Sequence, residues 1–291
     1  MNSDAVRMGL LYPGGGAEHD YYLFAEAMDD AVKFFMIGTR VGGSAEDDHG
    51  VAALLRTAEV DNLVEGARRL VPLRPDVVLW ACTSGSFIVG RRGAERQAEA
   101  LTEVTKAPAS STSLAFVRAL GALGLHRVAV LAPYPEEASR AFVRFVGEWS
   151  IEVCGFEWLG APSGWDSAVM APEAIVAAAR RVDRPDAQAV LVPDTALPTL
   201  SFVEELERVL GKPVLTANQV TIWEGLRSPD PDSGPWATGG SWPPRPREAC
   251  DEHPQGACLL DRRVPAAARR GEPAGRREAP RLSPKPNSLR G

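Results

Sequence analysis

The sequence predicts an α/β protein of two pseudo-symmetric Rossmann-like lobes with parallel sheets and an active site between them. Three observations predict it. Short apolar runs alternate with stretches of helical period up to about residue 227, the grammar of βαβ units. The alternation restarts after about residue 123, so the second half repeats the first. Two apolar runs also end alike. Val77-Val78-Leu79-Trp80-Ala81 leads into Cys82-Thr83-Ser84-Gly85, and Ala189-Val190-Leu191-Val192-Pro193 leads into Asp194-Thr195-Ala196-Leu197. Ligands of parallel sheets sit beyond the carboxyl ends of the strands, so an ionisable residue at each of these places suggests one site shared by two halves.

In the first half, strands are expected at Val6–Tyr12, Lys33–Gly38 and Val77–Ala81, with helices around Tyr21–Val32, Val51–Leu70 and Arg91–Thr105. A further helix spans Thr112–Leu123. The second half then reads as strand Arg127–Ala132, helix Pro135–Trp149, strand Ile151–Leu159, helix Pro172–Val182, strand Ala189–Pro193, helix Thr199–Leu210 and a short strand Pro213–Thr216. Lys106-Ala107-Pro108 before the helix at Thr112 matches Gly211-Lys212-Pro213 before the helix entered at Asn218, which is expected to cross back onto the first lobe. The expected division is therefore residues 1–112 plus 217–227 for the first lobe and 113–216 for the second.

Residues 228–291 break this pattern, holding 12 of the 24 prolines and three Arg-Arg pairs without a sustained apolar period. Such a segment cannot bury enough apolar surface to offset its ordering entropy, and an unstructured tail is expected. Its Pro/Arg/Ala/Gly-rich text is what a GC-rich gene yields out of frame; a basic interaction tail is the alternative. Ser228-Pro229-Asp230-Pro231 should stop the preceding helix near Arg227.

Composition narrows the function. Residues 1–227 carry 21 basic and 30 acidic side chains, which argues against nucleic acid as a partner. No apolar run is long enough to span a membrane and no signal-type leader is evident, so a cytoplasmic protein without a membrane partner is expected. The four cysteines show no zinc-type pairing, so no metal is expected and a reducing compartment fits. A homo-oligomer is compatible with this reading.

Cys82 sits where strand meets helix, a place at which backbone N–H groups and the helix dipole favour a thiolate, with Thr83 and Ser84 as donors for a carboxylate. The alternative is a buried cysteine packing as a small hydrophobe; for Cys154, inside a predicted strand, that is the preferred reading. Asp194 reads either as the N-cap of a helix beginning near Leu197 or as an acid facing Cys82 across a cleft. Pro13-Gly14-Gly15-Gly16 is either a tight βα turn or a place where amides approach an anion, and it lacks the dinucleotide fingerprint. Glu18, His19 and Asp20 read as helix-start capping residues. Tyr134, after Pro133, reads equally as an ordinary strand-end aromatic or as a hydroxyl in the cleft.

Taken together, Ala81-Cys82-Thr83-Ser84-Gly85-Ser86-Phe87, Ala132-Pro133-Tyr134-Pro135, Asp194-Thr195-Ala196-Leu197 and Thr216-Ala217-Asn218-Gln219 with Trp223 resemble the aspartate/glutamate racemase superfamily. Within it they are most similar to the maleate cis-trans isomerase and arylmalonate decarboxylase branch, with a more general likeness to the ectoine-utilisation branch. The resemblance covers residues 6–227. It implies paired lobes without metal or organic cofactor, a small carboxylate substrate between them, and Cys82 as nucleophile. It also implies Thr83, Ser84 and Tyr134 as carboxylate-binding groups, with Pro13, Gly14, Gly15, Thr195 and Ala196 lining the substrate. Two departures stand out: Asp194 replaces the second cysteine of two-cysteine members, and Gly14-Gly15-Gly16 replaces a Ser-Ser-Asn turn that supplies a side-chain ligand. The expectation is a cofactor-independent isomerase or racemase with Cys82 as nucleophile or base and Asp194 as the opposing acid. An arylmalonate-type decarboxylase and a non-catalytic carboxylate-binding protein are the alternatives.

Overall fold

In a computed structural model, which describes residues 5–28, 31–44 and 47–227, eight strands form two four-stranded sheets. The first contains β1 (Val6–Tyr12), β2 (Val32–Gly38), β3 (Val77–Trp80) and β4 (Ala109–Ser111), in the order β2-β1-β3-β4. The second contains β5 (Arg127–Ala132), β6 (Glu152–Trp158), β7 (Ala189–Val192) and β8 (Val214–Thr216), in the order β6-β5-β7-β8. All pairings are parallel and the two orders correspond strand for strand. Residues 228–291, with the tail expected there, lie outside the described residues.

The central strands are buried along their length, β7 at every position, which is why they read as unbroken apolar runs rather than alternating ones. In β6 the register shifts between Val128 and Ala129 of the neighbouring strand, leaving Cys154 as the extra residue. Its thiol donates to the Val128 carbonyl at 3.3 Å, a structural place in keeping with its reading as a packing residue.

Helices follow the strands: α1 (Glu18–Ala27), α2 (Val51–Thr57), α3 (Val60–Leu70), α4 (Thr83–Phe87), α5 (Gly90–Thr105), α6 (Thr112–Leu123), α7 (Glu136–Gly147), α8 (Gly164–Ala168), α9 (Pro172–Val182), α10 (Val203–Leu210) and α11 (Ala217–Leu226). Several bounds differ from expectation. The first helix lies earlier than Tyr21–Val32, because Val32 is taken by the edge strand β2. The helix expected over Val51–Leu70 is two, broken at Ala58-Glu59, where Glu59 turns extended to start α3. The helix expected from Thr199 begins only at Val203. The polar strand β4 and the short α8 carry no apolar period and were not expected.

Helices α6 and α11 exchange places between the lobes. Leaving the first sheet, α6 packs Leu114, Phe116 and Leu120 on Val128, Val130 and Leu191 of the second. From β8, α11 returns to set Ile222 against Met8, Leu10 and Leu79 of the first. Gly225 leaves room there for the Met8 thioether, since a Cβ would stand 2.3 Å from Met8 Cε. The Thr112 and Thr221 hydroxyls lie 2.6 Å apart where these helices meet. An edge-to-face chain of Tyr134, Phe87, Phe142 and Phe116 continues the core across the lobes. As expected from the sequence, α11 ends at Leu226 with Arg227 as its C-cap.

Asp20 is not a cap. Its carboxylate is fully buried and Oδ2 accepts from Asn218 Nδ2 at 2.9 Å, Thr199 N at 3.1 Å and Leu200 N at 3.4 Å, tying α1 to the second lobe and to α11. Oδ1 has no hydrogen-bond partner. Burial raises the Asp20 pKa despite the three donors. Its contribution to stability is therefore full below the ordinary carboxylate range and is lost as pH rises through the raised value. Asp20→Asn, with the amide nitrogen at the Oδ1 position, keeps all three bonds and gives up only the 3.8 Å approach to the exposed His19 Nε2. Its melting temperature at pH 7 should be unchanged or a few degrees higher; a marked fall would show that the bridge needs the charge.

Candidate active site

The sheet register sets Cys82 in place. Trp80 pairs with Leu11, and Ala81 N donates to the Leu11 carbonyl at 2.9 Å, so Cys82 emerges at the carboxyl edge beside the Pro13–Gly16 turn. Cys82 is the extended N-cap of α4, and its Sγ accepts the Gly85 N–H at 3.3 Å with Ser84 Oγ at 3.6 Å. Glycine is required at 85 because a Cβ would stand 3.1 Å from Sγ and 2.8 Å from the Trp80 ring. The Ser86 and Ser113 hydroxyls are spent on backbone carbonyls of Cys82 and Thr83. Thr83 Oγ1 is buried without a partner.

Asp194 stands as far beyond β7 as Cys82 stands beyond β3. It caps no helix. Oδ1 accepts the N–H of Ala196 at 2.9 Å in a local turn, and Oδ2 is buried and unpartnered. Burial raises its pKa; His49, the Ser167 hydroxyl and the Ala196 N–H act in the opposite direction. Cys82 and Asp194 are each 3% exposed, and Asp194 is among the groups that push the thiol upward.

The thiol departs from expectation. The Gly85 N–H and the Ser84 hydroxyl do favour the thiolate, but burial outweighs both and pushes Cys82 up to about 12, with Asp194 and Asp48 adding to the rise. Helix-terminus donors are a local property; desolvation belongs to the closed cleft. Iodoacetamide should therefore modify half-buried Cys154 before Cys82 in the resting protein, as peptide mass mapping would show. Faster modification of Cys82 would mean that the cleft opens readily in solution.

Tyr134 is fully buried. Its hydroxyl lacks a hydrogen-bond partner and stands beside Thr83 and Ser84, and the charges of Asp194 and Cys82 act on it. Thr195 turns its carbonyl to the Tyr12 hydroxyl at 3.2 Å. Gly14, Gly15 and Gly16 have φ of 94°, 127° and 103°, a run only glycine adopts freely. Gly15 abuts Ala196 and Gly164, and a Cβ on Gly16 would lie 2.7 Å from Ala168 Cβ. The turn from Pro13 thus seats the first lobe against the second, and Gly16 N donates to Glu18 Oε2 at 3.0 Å. Gly16→Ala should destabilise the protein by about 1–3 kcal/mol in chemical unfolding; no loss would show that the lobes separate there freely.

Four contributors carry no sequence signal of their own. Ser167 Oγ, on α8, is buried beside the Asp194 carboxylate, whose ionised form it favours. Tyr12 closes β1. Asp48 and His49 come from a polar loop of the first lobe that docks on the second: Asp48 Oδ1 accepts from Gly164 N at 2.9 Å, and His49 N donates to the Pro162 carbonyl at 3.0 Å. Among the described residues no group of three or more His, Cys, Asp or Glu side chains could hold a metal ion. Nor is any helix there long and apolar enough to cross a membrane.

The arylmalonate decarboxylase family profile matches residues 55–240. The chain belongs to the arylmalonate decarboxylase family. The match runs past Arg227, where the resemblance read from the motifs ends. Its relatives include the arylmalonate decarboxylase of Bordetella bronchiseptica, 30% identical over 175 residues, which are 58% of this chain and 72% of that one. The maleate isomerase of Nocardia farcinica is 25% identical over 232 residues, 77% of this chain and 90% of that one. A crystal structure of a cysteine-to-alanine variant of the maleate isomerase Iso from Pseudomonas putida S16, with maleate, superposes with a TM-score of 0.69 at 23% identity, covering 76% and 91% of the two chains. That last likeness concerns the fold: two parallel four-stranded sheets with flanking helices.

Proposed function

We propose that this member of the arylmalonate decarboxylase family is a cofactor-independent isomerase or racemase of a small carboxylic acid, with Cys82 and Asp194 addressing opposite faces of the reacting carbon. The observation that supports it is a set of buried oxygens that make no well-formed hydrogen bond, Thr83 Oγ1 beside Tyr134 Oη and Ser167 Oγ beside Asp194 Oδ2, with the charges of Cys82 and Asp194 both acting on the Tyr134 hydroxyl. Buried polar groups left unpaired are costly, and a cluster of them marks where a polar ligand completes the bonding. In this reading the Thr83, Ser84 and Tyr134 hydroxyls donate to the substrate carboxylate and stabilise the enediolate that forms from it. Asp194 takes the proton from one face of the carbon, whose electron pair passes into the carboxylate. The Cys82 thiol gives its proton to the other face; in the reverse direction Cys82 is the base and Asp194 the acid. A substrate that carries an activated double bond would instead be attacked by the Cys82 sulfur, whose proton passes to the Asp194 carboxylate and on to the neighbouring carbon; rotation about the resulting single bond and loss of that proton and of the sulfur restore the double bond and the thiol.

Decarboxylation is the second reading, favoured by the family and by a thiol held in its S–H form. There the bond to a second carboxyl group breaks, its electrons form the same enediolate, carbon dioxide leaves and Cys82 protonates the carbon. Proton NMR of the protein with maleate, 2-substituted malonates and single-enantiomer amino acids in deuterated water separates the readings. Cis-trans conversion or deuterium entry with inversion supports isomerisation. Loss of carbon dioxide with one deuterium gained supports decarboxylation. Tight binding without exchange would overturn both in favour of a carboxylate-binding protein.

A further inference from the structure

Asp48 stands where three segments of the closed site meet. Its Oδ1 accepts the Gly164 N–H at 2.9 Å. Its Oδ2 lies 3.9 Å from where a Cβ on Gly164 would stand, and the same point is 3.3 Å from Ala196 Cβ and 3.7 Å from Gly15 Cα. Asp48 therefore borders both the glycine turn that follows β1 and the turn in which Asp194 Oδ1 takes the Ala196 N–H at 2.9 Å. The next residue, His49, packs edge-to-face on Tyr134 with ring centroids 4.7 Å apart, so one short loop reaches both Tyr134 and the Asp194 turn. The two ring nitrogens of His49 are turned to the Ala161 carbonyl at 3.1 Å and to Asp48 Oδ1 at 3.8 Å. With Oδ1 so engaged, Oδ2 is the acceptor that Asp48 has left. It takes no hydrogen bond from another described residue, and the side chain is 18% exposed, enough for a ligand to reach it. Asp194 Oδ2 is a second carboxylate oxygen without a partner. No lysine or arginine is buried among the described residues, so no side chain of fixed positive charge is enclosed with these carboxylates. In keeping with this, the charge of Asp48 adds to the rise that burial gives the pKa values of Cys82 and Asp194. Two carboxylates near one dry cleft repel, and a hydrogen-bond donor between them relieves the repulsion.

We propose that Asp48 is a specificity-determining residue of this site, whose Oδ2 accepts a hydrogen bond from a hydroxyl or ammonium group borne on the reacting carbon. The inference rests on the reading of Cys82 and Asp194 as the pair that addresses that carbon. It names the substrate class: a monocarboxylic acid with a hydrogen-bond-donating α-substituent, its carboxylate at Thr83, Ser84 and Tyr134 and its donor toward Asp48. A dicarboxylate would bring its second carboxylate against Asp48, acceptor against acceptor, and Gly14, Gly15 and Gly16 offer that group no side-chain donor. A hydroxyl or an ammonium turns the same place into an attraction.

The test uses the full chain and four acids that differ in one group on the same carbon: propionate, methylmalonate, and both enantiomers of lactate and of alanine. Isothermal titration calorimetry at neutral pH should place the better-bound enantiomer of lactate or alanine at least about tenfold tighter than propionate, the ratio expected of one charge-assisted hydrogen bond, with methylmalonate the weakest. Alanine ahead of lactate identifies the ammonium as the preferred donor, and lactate ahead of alanine identifies the hydroxyl; either supports the proposal. Asp48→Asn keeps an oxygen for the Gly164 N–H and places an amide donor at the Oδ2 position. In the folded variant the preference over propionate should vanish and methylmalonate should gain affinity. A variant that weakens all four alike marks a structural residue and overturns the proposal, as does an unchanged order. Should the variant fail to fold, the order in the parent protein decides, and methylmalonate bound tightest there overturns it. Propionate bound without any gain for lactate or alanine overturns the role of Asp48 alone. Failure of all four to bind would count against the carboxylate cleft of the proposed function and overturn this inference with it.

Discussion

Cys82→Ser should abolish turnover, lowering kcat/KM by at least about 10³-fold, while circular dichroism and thermal unfolding stay close to those of the parent protein. The exchange removes little volume, and a serine oxygen can accept the Gly85 N–H that now reaches Sγ at 3.3 Å. Its place among Leu11, Leu63, Trp80 and Leu101 is therefore kept. What is lost is a group able to give up or accept a proton on a carbon within the catalytic cycle, because an alcohol is far less acidic than even a thiol raised to about 12 by burial. Retention of activity in the folded serine variant would reduce Cys82 to a packing residue and leave the hydroxyl cluster as a binding site only.

Asp194→Asn should cut turnover by about 10²-fold or more and at the same time stabilise the protein at neutral pH. The sign follows from the raised pKa of the buried carboxyl. Stability contributed by such a group is fully present below the ordinary carboxylate value of 3.8, declines as pH rises through the raised folded value, and is absent above it. An asparagine, neutral throughout, removes that decline. Thermal unfolding between pH 4 and 8 should therefore show a flatter profile and a higher melting temperature at pH 7 for the variant. A lower one would mean that the ionised form is already well compensated in the resting site. Asp194→Cys supplies the comparison. It restores an ionisable group at the same place and should recover more activity than asparagine; if it recovers none, the carboxylate acts by its charge or shape rather than by carrying a proton.

Much of this protein was legible in its sequence, and the reasons are local. Apolar runs such as Val128–Ala132 and Ala189–Val192 can only be buried strands, and the restart of the pattern dictates a second lobe like the first. Cys82 and Asp194 were readable as a pair because each follows its strand at the same distance, and a parallel sheet fixes which end of a strand can hold a ligand. Thr83, Ser84 and Tyr134 came with them through the motifs in which they stand. Short polar elements were not legible: β4 and α8 have no period to show, and the break at Ala58-Glu59 depends on where α2 and α3 pack. Asp20 looked like a helix cap because its bonds to Thr199, Leu200 and Asn218 join residues nearly two hundred positions apart. His49 and Ser167 could not be nominated at all, since a histidine in a polar loop and a serine in a short turn become site residues only when the lobes close. Order along the chain is enough to place a side chain at the mouth of a strand. Its protonation, however, depends on solvent exclusion and on charges brought from the other lobe, which is why the sequence favoured a thiolate at Cys82 and the folded cleft holds a thiol.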